Sequence, residues 1–247
     1  MGKKRVRMVV AYDGTNYHGW QSQNNGDTIE KQLNNALSEL LNEHIEVIGA
    51  SRTDAGVHAL GNIAVFDTES TLPADKISYA LNQRLPEDIR IQNSGEVPLD
   101  WHPRKCDSRK TYEYRIYYAK FPMPVKRLYS HFTYREMDTE LMREAAAYLV
   151  GEHDFKSFCR SGAQTQSTVR TIYSAEVERQ EAEVVIRICG NGFLYNMVRI
   201  IAGTLIEIGQ GRLEPAEMKN ILEACSREAA GPTAPACGLT LIKYEWY

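Results

Sequence analysis

The chain has 247 residues and a formal net charge of -3 at pH 7, which suits two modest domains or one large one and excludes a protein that is basic over its whole surface. Its five cysteines lack CxxC spacing, which argues against a disulfide framework or a clustered zinc site and predicts a reducing, cytoplasmic location. The longest uncharged apolar stretch, residues 188–198, is too short to cross a bilayer, so we expect no association with a membrane.

The first half of the chain predicts the order strand, helix, strand, strand, helix, strand. Residues 5–12 place apolar side chains at every second position, the period of a strand. A helix is predicted from a cap at Asp27, with Glu30 in the reciprocal capping position and an apolar stripe from Ile29 to Leu41. Strands at 45–48 and 63–66, a helix at 74–81 and a strand at 89–92 follow. This order indicates a ferredoxin-like α+β unit and not a doubly wound sheet.

The second half of the chain repeats this kind of alternation. A strand at 111–118 places Tyr112, Tyr114, Ile116 and Tyr118 on one face. The remaining predicted elements are a helix at 137–149, a strand pair at 168–178 and 183–189, helices at 193–208 and 215–225, and a strand at 239–246. We therefore predict an α+β fold of two α/β domains, residues 1–104 and 105–247, each with an antiparallel sheet of the RNA-recognition or ferredoxin-like kind.

The segment SRTDAGVHA at residues 51–59 places a carboxylate two positions after an arginine, among small residues that form a tight turn. A guanidinium at Arg52 favours the charged form of Asp54, which could then act as a nucleophile or base. An ion pair that merely stabilises a surface loop explains the segment equally well. His58, four residues after Asp54, could orient a substrate group, although a histidine that stabilises the loop is the commoner case.

Two further residues could act with Asp54. Tyr112 lies on a tyrosine-rich strand, where its ring could stack on a base or simply pack in the core. Arg199 is the only charged residue between Ile188 and Glu207. Because a charge in so apolar a helix is costly unless it is paired, an acid is expected opposite it. Asp54 and Glu207 are both candidates, and a helix-edge position in water is the third possibility.

A basic, tyrosine-containing stretch covers residues 103–127. It holds eight basic and two acidic residues, a local charge of +6 in a chain whose total is -3. Such a stretch is often an ordinary solvated face. Its interleaved tyrosines favour binding to the phosphates and bases of single-stranded or loop RNA, with Lys110 among the contacts.

Several motifs resemble those of the tRNA pseudouridine synthase A family, and they cover essentially the whole chain. They are YDG at 12–14, GWQSQ at 19–23, RTDAGVHA at 52–59, KTYEY at 110–114, Gly192-Phe193, NMVR at 196–199, Ala234-Pro235 and Gly238-Leu239. The chain departs from the family at Ser51, where glycine is expected before the arginine. Serine is nearly as small, so the departure affects the turn more than the chemistry.

The resemblance implies an isomerase that converts uridine to pseudouridine at positions 38, 39 and 40 of the tRNA anticodon arm. It implies a homodimer that needs no cofactor and no metal, with two domains meeting at a central cleft. Asp54 would be the catalytic nucleophile, Arg199 would pair with it, and Arg52 would help to displace the base or hold RNA. Tyr112 would stack on the target uracil, with Lys110 and His58 as further substrate contacts. Whether Asp54 acts at the sugar or at the base stays open.

Two alternative functions differ in class from this enzyme. A non-catalytic RNA-binding module of two RNA-recognition-like domains would explain the basic, tyrosine-rich strand. It would give no reason for an Asp beside an Arg in a tight turn, because a carboxylate repels phosphate. An acid–base hydrolase of a small metabolite would explain Asp54 but not the basic stretch.

Overall fold

The computed structural model describes residues 2–23, 26–160, 162 and 165–247. Within them the fold is mixed α/β, with mostly antiparallel strands and five α-helices. The strands are β1 (Lys4–Tyr12), β2 (Ile48–Gly49), β3 (His58–Thr68), β4 (Ile89–Val97), β5 (Ser108–Tyr118), β6 (His131–Thr133), β7 (Gly151–Asp154), β8 (Val169–Gln180), β9 (Glu183–Gly190) and β10 (Leu239–Trp246). The helices are α1 (Ile29–Leu41), α2 (Ile77–Leu81), α3 (Thr139–Ala147), α4 (Met197–Gly209) and α5 (Glu217–Ala224). No helix in the described part of the chain is long and apolar enough to cross a membrane.

The described residues group into two compact units. Unit 1 comprises the residues up to Asp107 together with Leu241–Tyr247, and unit 2 comprises Ser108–Thr240. Unit 1 is thus formed by two separate stretches of the chain. Residues 241–247, most of β10, also group with unit 1.

Unit 1 contains the predicted order of strand, helix, strand, strand, helix, strand. Its strands run β4-β1-β3, with β2 and β10 also paired to β3. The alternating side chains of β1, from Val6 to Tyr12, are buried, which confirms the predicted face. A short 3₁₀ helix, Ala74–Lys76, precedes α2, so the predicted helix at 74–81 is present in two parts.

Unit 2 carries an antiparallel sheet in the order β5-β9-β8-β7, and β6 lies parallel to β5. Tyr112 and Tyr114 lie opposite Ile188 and Ile186, and all four side chains are buried. The predicted alternation of buried side chains does not continue to the end of β5. There Tyr117 is buried against Phe132 of β6, while the hydroxyl of Tyr118 reaches Glu136 Oε1 at 3.2 Å.

The structure corrects the N-terminal cap predicted for α1. The cap is Thr28, whose hydroxyl accepts a hydrogen bond from the Lys31 main-chain N–H at 3.3 Å, and not Asp27. Glu30 does not close a capping box, because its carboxylate accepts from the main-chain N–H of Ser22 at 2.8 Å. Asp27 instead accepts from the side chain of Gln32 at 2.6 Å.

Two other predicted boundaries are wrong. The strand at 45–48 is reduced to β2, because the main-chain N–H groups of Ile45 and Val47 donate to side chains of α1 and not to a neighbouring strand. Helix α4 begins at Met197 and not at residue 193. Asn196 has a φ of 61°, a left-handed conformation that cannot continue a helix toward the N-terminus.

Candidate active site

The loop between β2 and β3 carries Asp54, and main-chain hydrogen bonds to an earlier segment fix its path. Trp20 N–H donates to Thr53 O at 3.0 Å, and Gly56 N–H donates to Tyr17 O at 3.3 Å. Val57 N–H closes a turn onto Asp54 O at 3.1 Å. The side chain of Asp54 is half-buried. Main-chain bonds on both sides of Asp54 thus hold the loop in place.

Two glycines allow the earlier segment to approach this loop. A Cβ atom at Gly14 would lie 2.0 Å from the carbonyl oxygen of Val57. A Cβ atom at Gly19 would lie 2.5 Å from Thr53 O, and Gly19 also has a φ of +87°, which side chains rarely tolerate. The YDG and GWQ motifs therefore contribute the main chain against which the RTDAG loop packs.

Buried side chains anchor the start of the loop. The hydroxyls of Tyr12 and Thr53 lie 2.7 Å apart, and burial raises the pKa of Tyr12, so this phenol stays protonated at neutral pH. Asn62 holds Ser51 at both main-chain groups, with distances of 3.2 and 2.9 Å. The Ser51 hydroxyl has no hydrogen-bond partner among the described residues, so the serine found in place of glycine adds no bond to this loop.

His58 and Arg52 lie on either side of Asp54 in sequence and differ in exposure. The His58 ring is only 4% exposed, and its Nδ1 lies 3.1 Å from both Gly14 N and Asp13 Oδ1. These surroundings favour the interpretation that His58 stabilises the loop. Arg52 is exposed, and its Nη1 donates to Gln21 Oε1 at 3.3 Å.

In unit 2, Tyr112 lies on β5 with its ring held by an aromatic neighbour. The ring is 7% exposed and meets Phe193 edge to face, with centroids 5.0 Å apart and planes at 80°. Edge-to-face contact is a favoured geometry for aromatic pairs and limits rotation of the ring. Lys110, two residues earlier, is half-buried and lies opposite Gly190 of β9.

Arg199, in the first turn of α4, is held through its own side chain. Its Nε donates to Ala234 O at 2.8 Å, and its Nη1 donates to Asn196 Oδ1 at 3.0 Å. Glu207, one of the two acids considered as its partner, is bound by Arg212, whose Nη2 lies 2.6 Å from Glu207 Oε1. The structure therefore excludes Glu207 as the acid that pairs with Arg199.

A segment that precedes β10 packs on the small residues of α4. A Cβ atom at Gly203 would lie 1.7 Å from Pro232 O, so the main chain of this segment can approach α4 only because residue 203 is a glycine. The same segment supplies Ala234, whose N–H donates to Arg199 O at 3.0 Å. Sequence reasoning missed Ala234 and Asn196 as the groups that orient Arg199. The Ala234-Pro235 and NMVR motifs were the available signal for them.

An acid outside residues 103–127 offsets part of the local charge of +6. Lys126 pairs with Glu183 at 2.6 Å, whereas Arg115 pairs at 2.7 Å with Glu113, which the count already includes. Glu183 lies on β9, which is remote in sequence but adjacent to β5, so a count along the sequence cannot include it. Arg109 stacks on Tyr173 of β8, with its guanidinium carbon 4.4 Å from the ring centroid.

The side chains of the described residues contain no group of three or more His, Cys, Asp or Glu arranged to hold a metal ion. All five cysteines are present as free thiols.

Comparison with known proteins identifies the family. The family model described as tRNA pseudouridine synthase matches residues 8–104 and 145–246. The chain is 46% identical over 240 residues to tRNA pseudouridine synthase A of Acetivibrio thermocellus, covering 97% of this chain and 98% of that protein. It is 48% identical over 241 residues to tRNA pseudouridine synthase A of Ruminiclostridium cellulolyticum, with the same coverage. The chain belongs to the tRNA pseudouridine synthase family and is an isomerase that makes pseudouridine in tRNA.

Proposed function

We propose that this enzyme acts on uridines 38, 39 and 40 of the tRNA anticodon arm and that Asp54 is its nucleophile. The observation that carries the assignment of Asp54 is its half-buried position on a loop whose main chain is bonded to residues 17 and 20. A nucleophile must be held in a fixed direction before the substrate arrives, and such a loop meets that requirement.

The reaction requires a site that accepts an extruded nucleotide and that keeps the freed base bound while it turns. The bond between N1 of uracil and C1′ of ribose must break, and C5 must then join C1′ and lose its proton. The target nucleotide must first leave its stack, which costs a few kcal/mol and calls for a pocket with an aromatic wall. An ionised carboxylate bonds to the nucleoside, the freed base stays bound while it turns, and the carboxylate is released again once C5 is joined to C1′.

We propose roles for the other residues from their individual surroundings. Tyr112 presents a ring held by Phe193 and stacks on the target uracil. Arg199, whose guanidinium is oriented by Ala234 and Asn196, pairs with the Asp54 carboxylate. Arg52, exposed beside Asp54, and Lys110 contact the RNA. His58 is predicted from the sequence as a substrate contact, but we assign it to support of the loop because its buried ring lies beside Gly14 and Asp13.

The domain arrangement is proposed on similar grounds. We infer that the N-terminal domain, up to about residue 104, and the C-terminal domain from residue 105 are both ferredoxin-like, and that a cleft between the two domains receives the substrate. In unit 2, β9 pairs with β5 on one side and with β8 on the other. In unit 1, β3 pairs in the same way with β1 and with β2.

We also propose a homodimer in the cytoplasm, where free thiols persist. Sedimentation of the purified protein at micromolar concentration tests the dimer, and a monomeric mass contradicts it.

The test of the nucleophile is Asp54→Asn. We expect it to release no tritium from tRNA labelled at uridine C5, a loss of more than about 10⁴-fold, while still binding tRNA. Asp75→Asn is the matched control, because Asp75 is an exposed aspartate of unit 1 that pairs with Lys76. Full activity of Asp54→Asn contradicts the assignment.

The target positions are tested separately with tRNAs that carry cytidine in place of uridine at 38, 39 or 40. We expect each replacement to remove the pseudouridine at that position alone. Pseudouridine mapped outside these positions contradicts the anticodon-arm proposal and leaves the role of Asp54 intact.

A further inference from the structure

We propose that Tyr195, held by Arg160, is a second stacking site that receives the base next to the target uridine. This inference deepens the proposed function and rests on it, since it concerns how the same tRNA is bound. Tyr195 is not among the residues that the sequence motifs assign to catalysis or to substrate binding.

Tyr195 combines exposure with a fixed orientation. Its side chain is 45% exposed, although a large aromatic ring usually gains from burial. Three contacts join it to Arg160. Arg160 N–H donates to Tyr195 O at 3.1 Å, Arg160 Nη1 donates to the Tyr195 hydroxyl at 2.9 Å, and the guanidinium carbon lies 5.3 Å from the ring centroid. A ring held in this way loses little further entropy when it binds a ligand.

Tyr195 lies on a short loop that already serves the proposed site at both ends. Two residues before it, Phe193 makes the edge-to-face contact with Tyr112. Immediately after it, Asn196 turns the chain in a left-handed conformation and accepts from Arg199. Along the chain, Tyr195 therefore lies between Phe193, which supports the ring of Tyr112, and Asn196, which orients Arg199.

The chemistry of base extrusion explains what such a ring would bind. When a uridine leaves its stack, the neighbouring base loses one of its two stacking faces. An exposed aromatic ring replaces that face, and it does so for any base because every base has a π-face. The guanidinium of Arg160 also suits an RNA partner, because it adds positive charge beside a polyanion and strengthens stacking through its contact with the ring.

The chain contains a matched control for this arrangement. Tyr79 of α2 is 71% exposed, and the ammonium of Lys76 lies 5.5 Å from its ring centroid. It is therefore also an exposed tyrosine with a cation over its ring. Neither the motifs nor the proposed site involve Tyr79, so its truncation should leave RNA binding unchanged.

The experiment measures binding and stacking without turnover. Anticodon stem-loop RNAs carry 2-aminopurine on the 5′ or the 3′ side of the target uridine and are titrated with the Asp54→Asn enzyme. We expect one of the two RNAs to show fluorescence quenching that persists in Tyr195→Phe and disappears in Tyr195→Leu. Tyr195→Leu should raise Kd about tenfold, and Tyr79→Leu should raise it less than twofold.

Unchanged Kd and unchanged quenching in Tyr195→Leu would overturn the inference, as would the absence of quenching in both RNAs. Arg160→Gln is the second variant, since it keeps the tyrosine but removes the cation, and we expect a Kd two- to threefold higher. If Tyr195→Leu fails to fold, Arg160→Gln decides the question, and no change in its Kd or quenching contradicts the inference. Because none of these readouts needs catalysis, a failure of Asp54 as the nucleophile is detected separately by tritium release.

Discussion

The loop that carries Asp54 and the loop that leads to Arg199 fix their charged side chains by different means. The Asp54 loop is held by main-chain hydrogen bonds to residues 17 and 20 and by close glycine contacts. Arg199 is held through its guanidinium, by Ala234 O and Asn196 Oδ1. The bonds of the Asp54 loop position its main chain, whereas Arg199 is held both at its carbonyl oxygen, by Ala234 N–H, and at its guanidinium.

This difference determines which substitutions each loop should tolerate. A change at Asp54 alters the chemistry, and the main-chain bonds of Trp20 N–H to Thr53 O and of Gly56 N–H to Tyr17 O still hold the loop. A change at Arg199 removes both the charge and the contacts that orient it. The Asp54 loop should therefore be most sensitive to backbone crowding, and the Arg199 site most sensitive to the geometry of the guanidinium.

Gly14→Ala should have the largest effect of the four changes considered. The added Cβ atom would lie 2.0 Å from Val57 O, so the Asp54 loop must move by about 1 Å or more. We expect tritium release to fall more than about 100-fold and the free energy of unfolding to fall by about 1–3 kcal/mol. Gly61→Ala is the control, since its Cβ would meet only Val9 Cγ1 at 3.7 Å. Wild-type activity in Gly14→Ala would refute the claim that close backbone contact positions Asp54.

Arg199→Lys tests whether charge alone suffices at this position. Lysine keeps the positive charge but cannot reproduce the fork that reaches Ala234 O and Asn196 Oδ1 together. We expect kcat to fall about 50-fold, close to the effect of Arg199→Ala, because charged hydrogen bonds of this kind are worth about 1.5–3 kcal/mol. Arg212→Lys, at an arginine paired with Glu207, should retain activity. A fully active Arg199→Lys enzyme would show that only the charge matters.

Tyr112→Ala should lower turnover about 30-fold, and Tyr112→Phe should lower it less than about threefold. The reason is that the ring, held edge to face by Phe193, supplies a stacking surface, whereas the hydroxyl does not. Single-turnover rates measured on the same tRNA separate this effect from product release. Equal losses in the two variants would argue against stacking as the main role of Tyr112.

Lys110→Gln should have the smallest effect, weakening tRNA binding about fivefold at low salt. If Lys110 contacts one phosphate, the slope of log K against log salt should become shallower by about 1. Lys126→Gln is the matched control, because Lys126 Nζ already forms an ion pair with Glu183 Oε1 at 2.6 Å. An equal change in the slope of log K against log salt in both variants would contradict the claim that Lys110, and not Lys126, contacts a phosphate.

Predictions from the sequence succeeded where the signal was short-ranged. The alternation in β1 correctly identified its buried face, and the element order of unit 1 was as expected. The predicted cap of α1, Asp27, was one residue before the observed cap, Thr28. Both are good capping residues, and the sequence does not show that Asp27 is bound by Gln32. The strand at 45–48 was overextended because α1 side chains take the hydrogen bonds that a strand would need.

The sequence by itself determined the family, the element order of unit 1 and the identity of the short RTDAGVHA loop, but it did not predict β6 and β7 of unit 2. The features that it determined depend on residues close together along the chain, where spacing and residue type are visible directly. Only the tertiary structure decided that Arg199 rests on Ala234, that Lys126 is neutralised by Glu183, and that Tyr195 is fixed by Arg160. Each of those partners is 35 or more residues away in sequence, and hydrogen bonds and ion pairs depend on distance in space, which the path of the whole chain sets.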